Sequence, residues 1–147
     1  MANIEKMVAT ILNKPHMCAH TSISNDLASA VYARNCPELL IPLLESQNDE
    51  ILRTSIWIAS ELGQKSYPLL PFTNKLLTHH DAYIRYYALD CILASTQCIY
   101  TNTNGLYESI IKKIYACLSD PDENVREKAT AIIEKFSSCS VAKADTV

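Results

Sequence analysis

Histidine, cysteine and aspartate side chains at short spacing are the first candidates for chemistry in this chain. His16-x-Cys18-x-His20 offers two nitrogens and one sulfur on alternate residues, which are donor types that zinc accepts. A closed zinc site needs four ligands, and only His79-His80 could complete it. A polar connector between two helices is the plainer interpretation of this cluster. We therefore predict no metal ion and no cofactor.

The segment His79-His80-Asp81 also has the residue types of acid–base catalysis. It lies in a predicted turn between helices, and no serine or cysteine stands at a recognisable nucleophile motif. Asp81 is moreover at a position where an aspartate caps a helix. We therefore predict that the chain is not an enzyme.

A group of tyrosines indicates binding instead of reaction chemistry. Tyr83, Tyr86 and Tyr87 are followed closely by Asp90. Tyrosine provides a large contact area at low entropic cost, and aromatic residues are frequent at the centres of protein interfaces. Packing of these rings against neighbouring helices is the alternative, and the sequence leaves it open.

A repeated segment indicates which elements hold these side chains. Asp-x-x-(Ile/Leu/Val)-Arg occurs at Asp49–Arg53, Asp81–Arg85 and Asp122–Arg126, each time after an apolar stretch. The three arginines are 32 and 41 residues apart. A unit that recurs at this period is typical of helical solenoids, in which each unit is a helical hairpin.

Hydrophobic periodicity predicts about eight helices in four hairpins, forming a single domain over residues 1–137. Asp49 and Asp81 are predicted to cap second helices, and Gly63 to end one. The strongest loop signal is Thr101-Asn-Thr-Asn-Gly105. We assign an N-terminal capping pair at 1–36, repeats at 37–63, 64–100 and 104–137, and a flexible tail at 138–147.

The repeated unit resembles HEAT repeats. Each copy reads as an apolar pair, three or four residues, and then D-x-x-φ-R, with Ala88 and Ala129 three residues after the later arginines. The resemblance covers about residues 37–137 and implies an all-α, right-handed α-solenoid of about four hairpins, of the HEAT/ARM type. It also implies that the motif's aspartates and arginines bind between neighbouring repeats as a structural ladder. The ladder residues would be Asp49, Arg53, Asp81, Arg85, Asp122 and Arg126.

The second helices of a HEAT stack line its concave side, so the resemblance predicts one continuous surface there. Counting from the motif arginine, we expect positions −2, +1, +2, +5 and +8 to face outward. On the first of these helices the outward residues would be Ile51, Thr54, Ser55, Ile58 and Glu61. Trp57 lies at the edge, where packing between repeats is the plainer interpretation. The predicted partner-binding residues are Trp57, Glu61, Tyr83, Tyr86, Tyr87, Asp90, Glu127 and Glu134.

Composition and charge restrict the partner. The net charge is −3, and only two of the 147 residues are glycine. Without a basic stripe the chain is not expected to bind nucleic acid directly, and so few glycines disfavour phosphate-binding loops. The six cysteines are scattered without a C-x-x-C pair, and no export signal or membrane span is recognisable. We therefore expect reduced thiols in a cytoplasmic protein.

These features favour a non-catalytic module that binds a basic protein partner on its concave, acidic and tyrosine-rich face. The chain is similar in kind to HEAT-like immunity proteins and antitoxins of bacteria, which cover the active site of a toxin. That resemblance implies an inhibitor of a basic toxin, for example a nuclease. An adaptor or assembly scaffold fits the same residues, and the oligomeric state stays open.

An enzymatic alternative comes from alkylpurine DNA glycosylases, which are also built from HEAT-like repeats. Trp57, Tyr86 and Asp90 could take the roles of their aromatic and acidic residues. Such an enzyme needs a cationic groove, however, and this face carries glutamates and aspartates where that role needs lysine and arginine. We therefore place this alternative behind the binding module.

Overall fold

The computed structural model describes residues 3–17, 22–95 and 105–144, without the side chains of residues 139–144. Every regular element in these parts is helical, and none is a β-strand. The all-α prediction, with about eight helices, is therefore confirmed. The α-helices are α1 (Ile4–Asn13), α2 (Ser22–Arg34), α3 (Ile41–Leu44), α4 (Asp49–Glu61), α5 (Leu70–Leu76), α6 (Ala82–Ala94), α7 (Leu106–Cys117) and α8 (Glu123–Ala144).

The helices pack in sequential pairs and in two rows. Pairs form between α1 and α2, α3 and α4, α5 and α6, and α7 and α8. One row contains α1, α3, α5 and α7, each packed against the next, and the other row contains α2, α4, α6 and α8 in the same way. The repeated Asp-x-x-φ-Arg segments lie on the second row, so this row holds the predicted partner-binding residues.

A single hydrophobic cluster receives side chains from both rows. Its fully buried members include Ile11 of α1, Leu43 of α3, Ile56 of α4, Ile84 of α6 and Ile114 of α7. Burying such a side chain contributes about 1.5–3 kcal/mol to the free energy of unfolding. The cluster thus fixes the position of each helix in the second row against the first row.

Prolines shorten the helices of the first row. A 3₁₀ segment at Pro37–Leu40 leads into α3, whose second residue is Pro42. Proline lacks an N–H group and is tolerated in a first turn, where that group has no intrahelical partner. Pro42 occupies such a first-turn position, because the α-helix begins at Ile41. A second 3₁₀ segment at Gly63–Leu69 precedes α5 in the same way.

The capping residues agree with the sequence at α6 and differ at α4. Asp81 is the N-cap of α6 and accepts a hydrogen bond from the Tyr83 N–H at 2.9 Å, as predicted. Asp49, in contrast, was expected to cap α4, and this is wrong by one residue. The cap is Asn48, whose side-chain oxygen accepts from the Glu50 and Ile51 N–H groups. Asparagine caps as well as aspartate does, so the carboxylate of Asp49 is left to other partners.

The ends of two helices show how glycine controls length. α4 ends at Glu61, and Gly63 follows with a left-handed φ of 56°, as predicted. α8 continues to Ala144, so residues 138–144 of the predicted flexible tail are helical. Neither glycine nor proline follows Phe136, and nothing in the sequence therefore ends that helix. Throughout residues 3–17, 22–95 and 105–144, each helix is too short or too polar to cross a bilayer.

Candidate protein-binding surface

Helices α4, α6 and α8 lie side by side, and their outward side chains form one surface. We call this surface the tyrosine face. It includes all eight predicted partner-binding residues, of which the three glutamates are exposed and the other five are half-buried. Its members are Arg53, Trp57 and Glu61 of α4, Tyr83, Tyr86, Tyr87 and Asp90 of α6, and Asn124, Glu127, Lys128 and Glu134 of α8.

The three tyrosines of α6 contact one another. The ring centres of Tyr83 and Tyr87 are 4.6 Å apart, and those of Tyr86 and Tyr87 are 5.1 Å apart with the rings nearly perpendicular. Tilted and edge-to-face arrangements are favourable for aromatic pairs. Burial, with a smaller contribution from Tyr87, raises the pKa of Tyr83 to about 12. All three rings are half-buried, and those of Tyr86 and Tyr87 pack against the hydrophobic core with part of their surface left to solvent.

Two cations of the chain already lie against these rings. The guanidinium carbon of Arg53 is 5.9 Å from the ring centre of Tyr83, and Lys128 Nζ is 4.7 Å from that of Tyr86. Lys128 Nζ is also 2.6 Å from Asp90 Oδ1. Burial alone would lower the pKa of Lys128, but hydrogen bonds to Asp90 and Tyr86 outweigh it and raise the pKa. Asp90 is therefore neutralised within the chain.

Other acidic side chains of this region keep their negative charge uncompensated. Among the described residues, Glu61, Asp122, Glu127 and Glu134 have no lysine, arginine or histidine nitrogen within 4.0 Å. The three glutamates are exposed, and Asp122 is half-buried at the start of α8. The tyrosine face therefore combines aromatic rings with a net negative border.

An open cleft of about 350 Å³ lies along the tyrosines. It runs between the start of α6 and the start of α8. Its walls are the three rings together with small and polar side chains, and the lining residues are Ala82, Tyr83, Tyr86, Tyr87, Asp122 and Asn124. Aromatic walls with a carboxylate at one end can bind a cationic or amphipathic side chain.

The predicted outward positions hold for α6 and α8 and mostly fail for α4. Ile51, Thr54, Ser55 and Ile58 are buried, whereas the predicted Glu61 is exposed, on a strip that also contains Arg53. Because α2, α3 and α6 all pack against α4, most of its circumference is covered. The hydroxyl of Ser55 donates to the Leu52 carbonyl at 3.0 Å, which satisfies it inside the core. A serine on an apolar helix is thus a poor marker of an outward face.

Trp57 lies on the exposed strip of α4 between Arg53 and Glu61. Its ring is half-buried and packs against the hydrophobic core, so part of it supports the fold and part faces solvent. Both interpretations of this residue from the sequence therefore have a structural basis.

Arginine–aspartate bridges join successive helical pairs. Arg53 Nε is 2.6 Å from Asp81 Oδ2. Arg85 binds the next pair through two hydrogen bonds of 2.7 Å, but its partner is Asp120 and not the predicted Asp122. Asp122 instead accepts from the Val125 N–H at 3.2 Å, at the start of α8. The proposed ladder therefore changes residue at its second bridge.

Arg126 completes the series without an aspartate partner. Its guanidinium donates to the carbonyl oxygens of Asp120 and Pro121, at 2.6 and 3.0 Å. It thereby supports the α7–α8 turn from within its own pair. A bridge to a following pair, as the ladder would require, is not present among the described residues.

Asp49 contacts the two histidines of the α5–α6 turn. Its Oδ2 is 2.8 Å from His80 Nε2, and its Oδ1 is 3.4 Å from His79 Nε2. Across the described residues this is the one group whose ligand atoms are close enough to hold a metal ion, all within 4.8 Å. The Asp81 N–H donates to His79 Nδ1 at 3.1 Å, so the proton of the neutral ring is on Nε2. A protonated Nε2 points a hydrogen and not a lone pair toward Asp49, so we interpret the group as a bridge between pairs in which His80 Nε2 donates to Asp49 Oδ2.

The remaining candidates for chemistry are the His-Cys-His cluster, the predicted loop and a buried cysteine. In the cluster His16-x-Cys18-x-His20, His16 is exposed in a 3₁₀ turn, whereas Cys18 and His20 lie outside the described residues. The loop Thr101–Asn104 lies outside them too. The thiol of Cys91 is fully buried, and burial raises its pKa to about 12. A thiol held in its protonated form is a poor nucleophile.

Comparison with known proteins finds similarity in fold alone. No protein-family model matches the chain, and no curated protein matches it. Among solved structures, the crystal structure of an engineered protein from the Northeast Structural Genomics Consortium is similar, with a TM-score of 0.61 and 15% sequence identity. The match covers 90% of this chain and 61% of that one, so the chain spans about three fifths of the engineered protein's length.

Proposed function

We propose that this chain is a non-catalytic protein-binding module that binds a basic protein through the tyrosine face. The observation that carries the proposal is the open cleft formed by Tyr83, Tyr86 and Tyr87 beside uncompensated acidic side chains. Half-exposed aromatic clusters are typical of interface centres, and a negative border speeds encounter with a positive partner.

We also propose that the two helical rows form a HEAT-like, right-handed α-solenoid whose second row lines the concave side. Each helical pair packs against the next, and Arg53 and Arg85, which occupy equivalent motif positions, each bind an aspartate of the following pair, which supports this arrangement. A curved stack of this kind presents one extended surface to a partner.

An inhibitor of a basic toxin is the form of binding that we propose. Inhibition by covering an active site requires a rigid surface and charge complementarity, and no reactive group. The tyrosine face offers the surface, and Glu61, Glu127 and Glu134 offer the negative charge, since they are not neutralised by the described part of the chain. Asp81 and Asp90 add little to this charge, because cations of the chain neutralise them. The partner is then a cationic protein, such as a nuclease with a positive active site.

The test is capture of the partner by the tagged chain from cells that express it, followed by binding measurements with the purified partner. We expect Tyr86→Ala to weaken the complex by about 2 kcal/mol, as for the loss of an aromatic interface residue. Tyr115→Ala is the matched control, because Tyr115 is 54% exposed on α7, in the other row. Circular dichroism melting of both variants separates loss of binding from loss of fold.

A stoichiometric basic partner that loses affinity with Tyr86→Ala and keeps it with Tyr115→Ala supports the proposal. An inhibitor is distinguished from an adaptor by whether the partner's own activity stops in the complex. Equal effects of the two substitutions, or a partner that binds only the first row, would overturn the assignment of the tyrosine face.

A further inference from the structure

The tyrosine face twice combines a tyrosine ring, an aspartate and a cation. Arg53 lies against the Tyr83 ring and binds Asp81, with a guanidinium-carbon-to-centroid distance of 5.9 Å and an Nε–Oδ2 distance of 2.6 Å. Lys128 lies against the Tyr86 ring and binds Asp90, with corresponding distances of 4.7 and 2.6 Å. In both sets the cation comes from a neighbouring helical pair.

A third tyrosine and a third aspartate line the cleft between these two sets. They are Tyr87 and Asp122, and within the described residues no lysine or arginine lies against either. Asp122 Oδ1 accepts from the Val125 N–H, and the second carboxylate oxygen has no hydrogen bond in the same part of the chain. Of the 13 lysines and arginines, Lys143 alone has its side chain outside that part.

The two arginines nearest to Asp122 are held by other groups. Arg85 is close enough for its pKa to be raised, mainly by its hydrogen bonds to Asp120 and to a small extent by Asp122. Its guanidinium is bound to Asp120 at 2.7 Å, and that of Arg126 is bound to two backbone carbonyls. Neither guanidinium forms an ion pair with Asp122.

We propose that the cleft binds an arginine side chain of the partner protein, with its guanidinium on the Tyr87 ring and its N–H groups on the second oxygen of Asp122. This rests on the proposed function and specifies how the partner is recognised. Arginine suits the cleft better than lysine, because its planar guanidinium stacks on an aromatic ring and donates to a carboxylate at the same time. The Asn124 amide, on the cleft wall, offers an additional acceptor.

The probe is the peptide acetyl-Gly-Arg-Gly-amide, titrated into the ¹⁵N-labelled protein, with the citrulline peptide as the neutral isostere. Chemical-shift changes at the amides of Tyr83, Tyr87 and Asp122 report on the cleft. Asp122→Asn removes the charge and keeps the helix cap, since asparagine caps equally well. Glu108→Gln removes the same charge from an exposed site on α7, in the other row, and it is the matched control for net charge.

We expect the arginine peptide, and not the citrulline peptide, to shift the cleft amides. Asp122→Asn should weaken its binding about tenfold, as for loss of a charge-assisted hydrogen bond, and Glu108→Gln by less than about twofold. Equal binding of the two peptides, equal effects of the two substitutions, or shifts outside the cleft would overturn the proposal. If the captured partner depends on Tyr86 while Asp122→Asn and Glu108→Gln act equally on it, the binding module stands and the arginine cleft does not.

Discussion

The bridges made by Arg53 and Arg85 begin from the same sequence motif and differ in the surroundings of the arginine. The Arg53 side chain is 54% exposed and reaches Asp81 through one hydrogen bond. The Arg85 side chain is 10% exposed, binds Asp120 with two nitrogens and donates further to the carbonyls of His79 and His80. The two aspartate side chains are similarly buried, at 9% exposure for Asp81 and 8% for Asp120, so the difference lies on the arginine side.

This difference shows that a repeated motif places its arginine at the same position in each pair but does not fix how much the resulting ion pair contributes to stability. An exposed ion pair is screened by water and contributes little, whereas a buried one becomes costly to break because the remaining charge is left without a partner. Burial alone would raise the pKa of Asp120, but the hydrogen bonds from Arg85 and from the Asp122 N–H outweigh it, and the pKa is lowered. The two bridges should therefore respond differently to the same substitutions.

Arg85→Ala should have the largest effect, because it leaves the Asp120 carboxylate and two carbonyls without their donor. We expect the free energy of unfolding to fall by about 3 kcal/mol, a large fraction of the total for a domain of this size. Urea unfolding followed by circular dichroism measures it. A loss below about 1 kcal/mol would mean that water replaces the guanidinium at no great cost.

Asp120→Asn should come next, at about 2 kcal/mol, because it removes a charge-assisted pair and keeps the side-chain shape. Asp122→Asn is the matched control and should change the free energy of unfolding by less than about 0.5 kcal/mol, since asparagine is an equally good cap. The same unfolding experiment compares them. The reverse ranking would restore Asp122 as the ladder residue.

Arg53→Ala should cost less than Arg85→Ala, about 1 kcal/mol, because Asp81 keeps the Tyr83 N–H as a donor and water can reach the exposed Arg53 site. The cost should shrink at high salt. The comparison with Arg85→Ala at low and high salt measures the effect of arginine exposure. A cost equal to that of Arg85→Ala at both salt concentrations would show that the exposure of the arginine does not set the strength of the bridge.

The smallest expected effect involves Tyr83. Its ring lies beside the Arg53 bridge, and among the described residues the Arg85 bridge has no such ring beside it. Its pKa is raised mainly by burial to about 12, from an ordinary value of 10.0. The folded state thus retains this proton more tightly, so the contribution to stability is complete below pH 10 and is lost as the pH rises to about 12. Tyr83→Phe should flatten the decline of stability over that range. Absorbance titration of tyrosinate checks the pKa itself, and a group that ionises near pH 10 would show that the ring is not desolvated.

Sequence alone was sufficient for the helical class, the approximate helix count and the outward residues of α6. The repeated Asp-x-x-φ-Arg segments are local signals, and local signals predict helix starts such as the Asp81 cap. The outward side of α4 was mispredicted because it depends on how many helices cover α4, which is a property of packing and not of the segment itself. Three neighbours bury even Thr54 and Ser55.

The second bridge could not have been assigned from spacing. Asp120 and Asp122 are two residues apart in the turn before α8, and either could reach a neighbouring arginine. The choice follows from backbone geometry, since the Asp122 N–H binds Asp120 Oδ1 at 2.9 Å and the Asp122 side chain turns to the helix start. Likewise, Asp49 contacts His79 because Asn48, and not Asp49, caps the helix. Composition does not reveal which of two adjacent residues becomes the cap.

The sequential pairing of helices has a consequence for how the molecule opens. Because α7 and α8 contact mainly α5 and α6, this last pair can detach while the earlier pairs keep their own core. Cys117 of α7 would then become accessible, whereas Cys91 of α6 is fully buried and bonds Ser66, in the 3₁₀ segment before α5. The alkylation rates of these two thiols therefore compare a partial opening with a more extensive one, without any substitution in the chain.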